Sequence, residues 1–95
     1  MGLPFNIAST SLLCVILAKL CGLEPGTVGI TIGDAHIYEA HIPACEKQLS
    51  RECYPLPTLK PLAFETIKDV EDSKLEDYET ENYKCHSLIR APMFA

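Results

Sequence analysis

The sequence predicts an α+β chain that contains one buried helix and strands of a larger sheet. An apolar segment near the N-terminus has helical spacing, and the segment that follows it alternates between two faces as a strand does. The third observation is the length, because 95 residues form one small domain and bury only about two-thirds of their unfolded surface on folding. Apolar residues crowd the first half, so we expect the chain to be part of a larger core.

Residues 6–20 predict a helix that is buried on every side. Apolar side chains occupy nearly all of its angular positions: Ile7, Leu12, Leu13, Val15, Ile16, Leu17 and Leu20. Gly22 follows as a helix stop, and Pro25 with Gly26 marks a turn. A helix that lacks a polar face packs inside a protein, so we expect other elements to cover this one.

Residues 27–38 predict a strand with one face that changes character along its length. Every second residue from Val28 belongs to this face, which begins apolar and ends with Asp34, His36 and Tyr38. A strand with this pattern runs from a core into a cleft. We therefore expect binding residues at its polar end.

The second half of the chain predicts short elements. His41–Ser50 predicts a short helix with Pro43 in its first turn. Thr58–Leu62 predicts an edge strand, because prolines surround it and proline is confined to sheet edges. Residues 65–83 predict a helical turn and an exposed strand, and residues 84–95 have no periodicity.

The charge and the cysteines exclude several classes of protein. The net charge is −5 without a basic cluster, so neither nucleic acid nor an anionic membrane is an expected partner. Five cysteines are an odd number, and no C-x-x-C pair occurs, which argues against a disulfide framework and a zinc ribbon. We expect reduced thiols, a cytoplasmic location and no metal.

No targeting or membrane-spanning segment is expected. The most apolar run, Ser11–Ala18, has no basic residue before it, and Lys19 interrupts it. A signal peptide needs a basic start and a small-x-small cleavage site, and a spanning helix needs about 20 apolar residues.

Asn6 has two interpretations. Asparagine is a favoured N-cap, so Asn6 fits the start of the predicted helix. Its primary amide also presents a donor beside an acceptor, which matches the edge of uracil where a ring N–H lies next to a carbonyl oxygen. The residues alone leave both interpretations open.

His36 and Tyr38 are the second candidate pair. Two side chains at alternate positions of one strand converge on one small hydroxyl-bearing group. An ordinary solvent-facing pair also explains this pattern, and from the residues alone it is the favoured interpretation. Asp34 either forms a turn or orients His36.

Two blocks of the sequence, taken together, resemble the C-terminal third of thymidylate synthase. They are Gly-Leu-Pro-Phe-Asn-Ile-Ala-Ser at 2–9 and Gly-Asp-Ala-His-Ile-Tyr at 33–38. Further matches follow in the family's order: His41, Gln-Leu-Ser-Arg-Glu at 48–52, Pro-x-Pro at 55–57, Leu-Glu-Asp-Tyr at 75–78 and Ile-Arg-Ala-Pro at 89–92. The resemblance covers essentially residues 1–95 and implies a C-terminal segment of the thymidylate synthase fold, with its large twisted sheet.

The resemblance implies a specific chemistry. Thymidylate synthases convert dUMP to dTMP by adding a cysteine thiolate to uracil carbon 6, and methylene-tetrahydrofolate then supplies a methylene and a hydride to carbon 5. By match, Asn6 recognises the uracil of dUMP, and His36 and Tyr38 hold the deoxyribose 3′-hydroxyl. Gly2 and Phe5 line the folate site. The terminal residues, ending at Ala95, resemble a tail that folds over bound ligands, and the whole enzyme is expected to be a homodimer.

The departures from the family concern catalysis. The family's nucleophile lies in a Pro-Cys-His segment upstream of the part that this chain resembles, as do its phosphate-binding arginines. Cys14 lies inside the apolar helix and does not replace the nucleophile. We expect the chain alone to be inactive and to need an N-terminal portion as its partner. A non-catalytic nucleotide-binding fragment and an inactive fragment are the alternatives.

Overall fold

The computed structural model describes residues 2–93, in which three α-helices and one two-stranded sheet are present. In chain order the elements are α1 (Leu3–Leu20), a first 3-10 helix (Glu39–His41), α2 (Ile42–Leu49), β1 (Thr58–Leu59), α3 (Ile67–Glu71), a second 3-10 helix (Leu75–Asp77) and β2 (Thr80–Glu81). The described chain is therefore α+β, but its sheet is far smaller than expected.

The ends of α1 follow from local chemistry. Gly2 is the N-cap and a proline lies in the first turn, where its fixed φ suits the helix. At the other end Gly22 adopts φ +65°, and the Leu23 amide donates to the Ala18 carbonyl at 2.8 Å. This is a Schellman ending, so the predicted stop is confirmed. The N-cap interpretation of Asn6 is wrong, because the helix begins before it.

The prediction that α1 is buried is wrong for this chain by itself. Ala18 is the one residue of the helix that is buried, while Leu13 is 54% and Leu17 is 52% exposed. The physical reason is that no described element lies over most of the helix. The sequence pattern is that of a core helix, and the structure leaves its apolar surface uncovered.

The length of α1 also corrects the argument about membranes. The helix has 18 residues, more than the apolar run considered above, and by length and composition it is a candidate for crossing a bilayer. Core helices of soluble proteins have the same length and composition. A single such helix is therefore weak evidence for a membrane span.

The predicted strand at 27–38 is absent from the described structure. This range has no regular secondary structure and bends at Gly33 and Asp34. A strand exists only where a neighbouring strand accepts and donates its backbone hydrogen bonds. Among residues 2–93 no segment pairs with this one, and Ile30 and Ile32 are 43% and 46% exposed.

The second half agrees well with the predictions. Helix α2 lies within the predicted range, with proline in its first turn. The edge strand is shorter than expected and pairs antiparallel with β2, Thr58 opposite Glu81 and Leu59 opposite Thr80. Beyond β1, Lys60 forms an ion pair with Glu79, and this contact raises the pKa of Lys60.

The chain is open in comparison with a protein of its length that folds alone. Its radius of gyration is 16.5 Å, whereas compact domains of this length have about 12 Å. Its accessible surface is 8335 Å², about one and a half times that of a compact monomer of this mass. The described residues that are buried are few: Ala18, His41, Ala44, Leu62 and Phe64. Most of the apolar surface of the chain therefore lacks a covering layer.

A capping box starts α3. The Asp69 carboxylate accepts from the backbone amides of Glu65 and Thr66 at 3.0 and 2.8 Å, and the Asp69 amide donates to the Thr66 hydroxyl at 3.2 Å. The hydrogen bond from the Glu65 backbone, followed by those from Thr66, lowers the pKa of Asp69 because donors stabilise its charged form.

We expect this cap to weaken only in acid. The pKa of Asp69 is lower in the folded chain, so its stabilisation is complete above the ordinary aspartate pKa and disappears as the pH falls through the lowered value. Titration of the Asp69 amide shift by NMR should show a midpoint below the ordinary range. Asp72→Asn, at the C-cap of the same helix, should leave that midpoint unchanged, and a midpoint at the ordinary value would contradict the capping box.

Candidate functional site

One groove gathers residues from both ends of the described chain. It has a volume of about 410 Å³, and its lining includes Gly2 and Phe5 from the start of α1, Tyr38 and His41 from around the first 3-10 helix, and Pro92 with Met93. Phe5 is 80% exposed, so its ring is available to a ligand. The groove thus places two of the predicted folate residues beside one of the predicted nucleotide residues.

Three aromatic rings pack in a row beside this groove: Tyr38 and His41 line it, whereas His36 is not among its lining residues. The rings of His36 and Tyr38 have centroids 5.4 Å apart at an angle of 68°. The ring of Tyr38 lies 5.5 Å from that of His41 at 79°. Both contacts are edge-to-face, the arrangement that aromatic quadrupoles favour. The predicted pair therefore lies together even though its segment is not a strand.

Asp34 contacts the ring of His36, and it also lies in the bend. The His36 Nδ1 atom is 3.2 Å from the Asp34 carbonyl oxygen and 3.4 Å from its carboxylate. Both oxygens only accept hydrogen bonds, so Nδ1 carries the hydrogen. In the neutral ring Nε2 is then an acceptor, which suits a hydroxyl donor. The structure places Asp34 in a bend and in contact with the His36 ring, and its role in orienting that ring stays a prediction.

Asn6 lies on the exposed surface of α1 and is not part of the groove lining. Its main-chain oxygen accepts from the Ser9 hydroxyl at 3.1 Å. No hydrogen bond joins its side-chain amide to any residue between 2 and 93. The amide is therefore available to a ligand or to another part of a larger protein. Ala95, the third predicted folate residue, lies outside the described residues.

The groove lining contains side chains that can hydrogen-bond to a ligand but no thiol that could act as a nucleophile. Its hydrogen-bonding side chains belong to Tyr38 and His41, and none of the five cysteines is among its lining residues. Within residues 2–93 no group of three or more His, Cys, Asp or Glu is arranged to hold a metal ion. The described part of the chain can position a ligand, but it offers the ligand no thiol.

Comparison with known proteins identifies the family. The family model described as thymidylate synthase matches residues 1–95. The chain belongs to the thymidylate synthase family. It is 44% identical over 93 residues to the thymidylate synthase of Saccharomyces cerevisiae, covering 98% of this chain and 30% of that enzyme. No solved structure was found to match the chain.

Membership of the thymidylate synthase family confirms the resemblance found in the sequence. The chain spans about 30% of the length of the yeast relative. The roles of Asn6, His36, Tyr38, Gly2, Phe5 and Ala95 in binding remain predictions.

His41 lines the groove, although the sequence indicates no role for it beyond a match to thymidylate synthase. The structure buries it and joins its Nε2 atom to the Pro92 carbonyl oxygen at 2.6 Å. The sequence does show that this histidine directly precedes an apolar residue and a helix-starting proline, but it does not indicate the hydrogen-bond partner of the ring.

Proposed function

We propose that this chain supplies nucleotide-binding and folate-binding segments of a thymidylate synthase, which converts dUMP to dTMP with methylene-tetrahydrofolate as co-substrate. The observation that carries the proposal is the groove in which Gly2, Phe5 and Tyr38 meet Pro92 and Met93. These residues come from three segments that are distant in sequence. A ligand held there would contact all three at once.

His36 and Tyr38 would hold the sugar of the nucleotide. A 3′-hydroxyl both donates and accepts, and it can donate to Nε2 of His36 while it accepts from the phenol of Tyr38. Asp34 fixes the ring of His36 through Nδ1. The edge-to-face packing of the two rings restricts their rotation and so lowers the entropy lost when the sugar binds.

Asn6 would recognise the base. Its carbonyl oxygen accepts from the uracil ring N–H, and its amino group donates to the adjacent uracil oxygen. Cytosine presents the opposite pattern at these two positions. The exposed amide of Asn6, one residue from Phe5, supports this assignment.

The groove suits the ring system of a folate. Phe5 offers an exposed aromatic face, and Gly2 has open space where a side chain would begin. The apolar side of Met93 borders the same groove. Methylene-tetrahydrofolate supplies the one-carbon unit and the hydride, while the residues of this chain bind it, orient it and exclude water.

The thiolate would come from another part of the enzyme. We propose an N-terminal portion that carries the family's Pro-Cys-His segment, packs against the exposed face of α1 and completes a cytoplasmic homodimer. In this arrangement α1 is a core helix and not a membrane span. The absence of a thiol from the groove lining also fits a non-catalytic nucleotide-binding protein, which is the second candidate.

One experiment separates the two candidates. The chain is expressed alone and together with the N-terminal portion of the yeast enzyme, and dUMP binding and dTMP formation are measured in both samples. Binding with dTMP formation only in the combined sample supports the proposal. Binding without dTMP formation in either sample supports the non-catalytic candidate, and the absence of both contradicts each of them.

Tyr38→Phe is expected to weaken dUMP binding and to leave the fold unchanged. The substitution removes one neutral hydrogen bond, which contributes about 0.5–1.5 kcal/mol, or about two- to tenfold in affinity. The ring and its packing against His36 remain. Calorimetric titration of the combined sample measures the affinity, and circular dichroism checks the fold. A variant that unfolds would favour a structural role for the hydroxyl.

A further inference from the structure

The contact between His41 and Pro92 joins two parts of the chain that are 51 residues apart. His41 is 7% exposed, and it is the one polar residue among the buried side chains of the described chain. Its Nε2 atom lies 2.6 Å from the Pro92 carbonyl oxygen. A carbonyl oxygen only accepts, so Nε2 carries the hydrogen and donates it.

The position of His41 is fixed by its backbone. Its amide donates to the Tyr38 carbonyl at 2.8 Å, and it stands where the first 3-10 helix passes into α2. A residue at a helix N-cap commonly uses its side chain to cap the helix. His41 makes no such bond. Its side chain instead donates to the Pro92 carbonyl oxygen, which belongs to the C-terminal segment 89–93.

We propose that His41 is a positioning residue that holds residues 89–93 along one side of the groove. Its ring packs edge-on against Tyr38, and its Nε2–H holds the Pro92 carbonyl, so it links the nucleotide side of the groove to the C-terminal segment. For the identity of the ligands this inference rests on the proposed function. The hydrogen bond itself is a property of the chain.

The consequence of losing the bond follows from the groove. Pro92 and Met93 form one of its borders, and Pro92 has no backbone amide with which to secure itself elsewhere. Without the bond these residues must be ordered when the folate binds, and that entropy cost lowers the affinity. We expect the KM for methylene-tetrahydrofolate to rise about tenfold.

Two substitutions test the donor specifically. The amide nitrogen of glutamine reaches about as far along the side chain as Nε2, whereas that of asparagine ends near the position of Nδ1. His41→Gln should therefore keep the bond to Pro92, and His41→Asn should lose it although it is equally polar. If His41 acts only by packing, both substitutions should remove its effect.

The first measurement uses the 95-residue chain carrying Leu17→Glu, which is expected to reduce self-association, and it does not depend on the function of the chain. NMR order parameters of the Ala91 and Met93 amides should fall in His41→Asn and remain near the wild-type values in His41→Gln. Equal order parameters in all three chains would overturn the proposal. A fall in both variants would assign His41 to packing and would also overturn it.

The second measurement uses the chain combined with the N-terminal portion of the yeast enzyme. The folate KM should rise in His41→Asn and recover in His41→Gln. If the wild-type combination neither binds dUMP nor forms dTMP, the proposed function fails and the order parameters alone decide the role of His41. If dTMP is formed and the folate KM is the same in all three, His41 does not position the segment.

Discussion

The chain on its own is expected to form no dTMP and to self-associate in solution. The reaction requires a thiolate on carbon 6 of the uracil, and no cysteine lines the groove. Association follows from the exposed apolar surface of α1, on which Leu13 and Leu17 are both more than half exposed. Contiguous apolar patches of this kind are rare on monomeric proteins.

Sedimentation and a dTMP assay check this expectation. The isolated chain should sediment as a mixture of oligomers without activity, and addition of the N-terminal portion of the yeast enzyme should reduce the association and produce dTMP. A monomer that unfolds cooperatively and forms dTMP unaided would contradict both parts of the argument.

A pair of variants locates the responsible surface. Leu17→Glu places a charge on the apolar face of α1, so it should reduce self-association and also prevent assembly with the N-terminal portion. Lys19→Glu places the same charge two residues later, at a position that is already polar. It should leave both properties close to wild type. Lys19→Glu changes the net charge more than Leu17→Glu does, so a loss of association in Lys19→Glu as large as that in Leu17→Glu would indicate that charge, and not the apolar face, governs association.

Asn6→Asp is expected to reverse the preference of the assembled enzyme from dUMP to dCMP. An ionised carboxylate only accepts, so it can pair with the cytosine amino group but leaves the uracil oxygen without a donor, whereas the wild-type amide both accepts from the uracil N–H and donates to that oxygen. When the carboxyl takes up a proton, its O–H can also donate to the cytosine ring nitrogen. A buried donor or acceptor without a partner costs about 1–3 kcal/mol, so the ratio of kcat/KM for the two nucleotides should change by about five- to 150-fold.

Competition between dUMP and dCMP is the appropriate measurement. Asn6→Ala serves as the control, since it removes the amide without offering a new pattern and should lower discrimination rather than reverse it. Full selectivity for dUMP in the Asp variant would show that Asn6 does not read the base. Its position within α1, after the N-cap Gly2, means that neither variant removes a helix cap.

Much of the local structure was available from the sequence, because local hydrogen bonds depend on neighbouring residues. The Gly22 ending of α1 and the range of α2 both follow from short-range patterns. The cap of α3 also has a local sequence signal, since Thr66 and Asp69 have the spacing of a capping box. The proximity of His36 and Tyr38 followed from their spacing of two residues.

The sequence patterns could not predict features that depend on residues distant in the chain or on partners outside it. The range 27–38 alternates as a strand should, yet pairing requires a second strand that residues 2–93 do not provide. The same reason explains why α1 has the composition of a buried helix and the exposure of a surface one. Both sequence patterns therefore indicate a packed environment, and residues 2–93 alone do not supply it.

The family and the local elements can be inferred from the sequence, because motifs in register and short-range hydrogen bonds depend on neighbouring residues. The meeting of distant segments is a tertiary property: Gly2 and Phe5 lie with Tyr38, and His41 lies with Pro92 across 51 residues. From the sequence alone, the hydrogen-bond donor of the His41 ring could pair with many different acceptors. The choice of the Pro92 carbonyl is made when the chain places one oxygen within hydrogen-bond distance of its Nε2 atom.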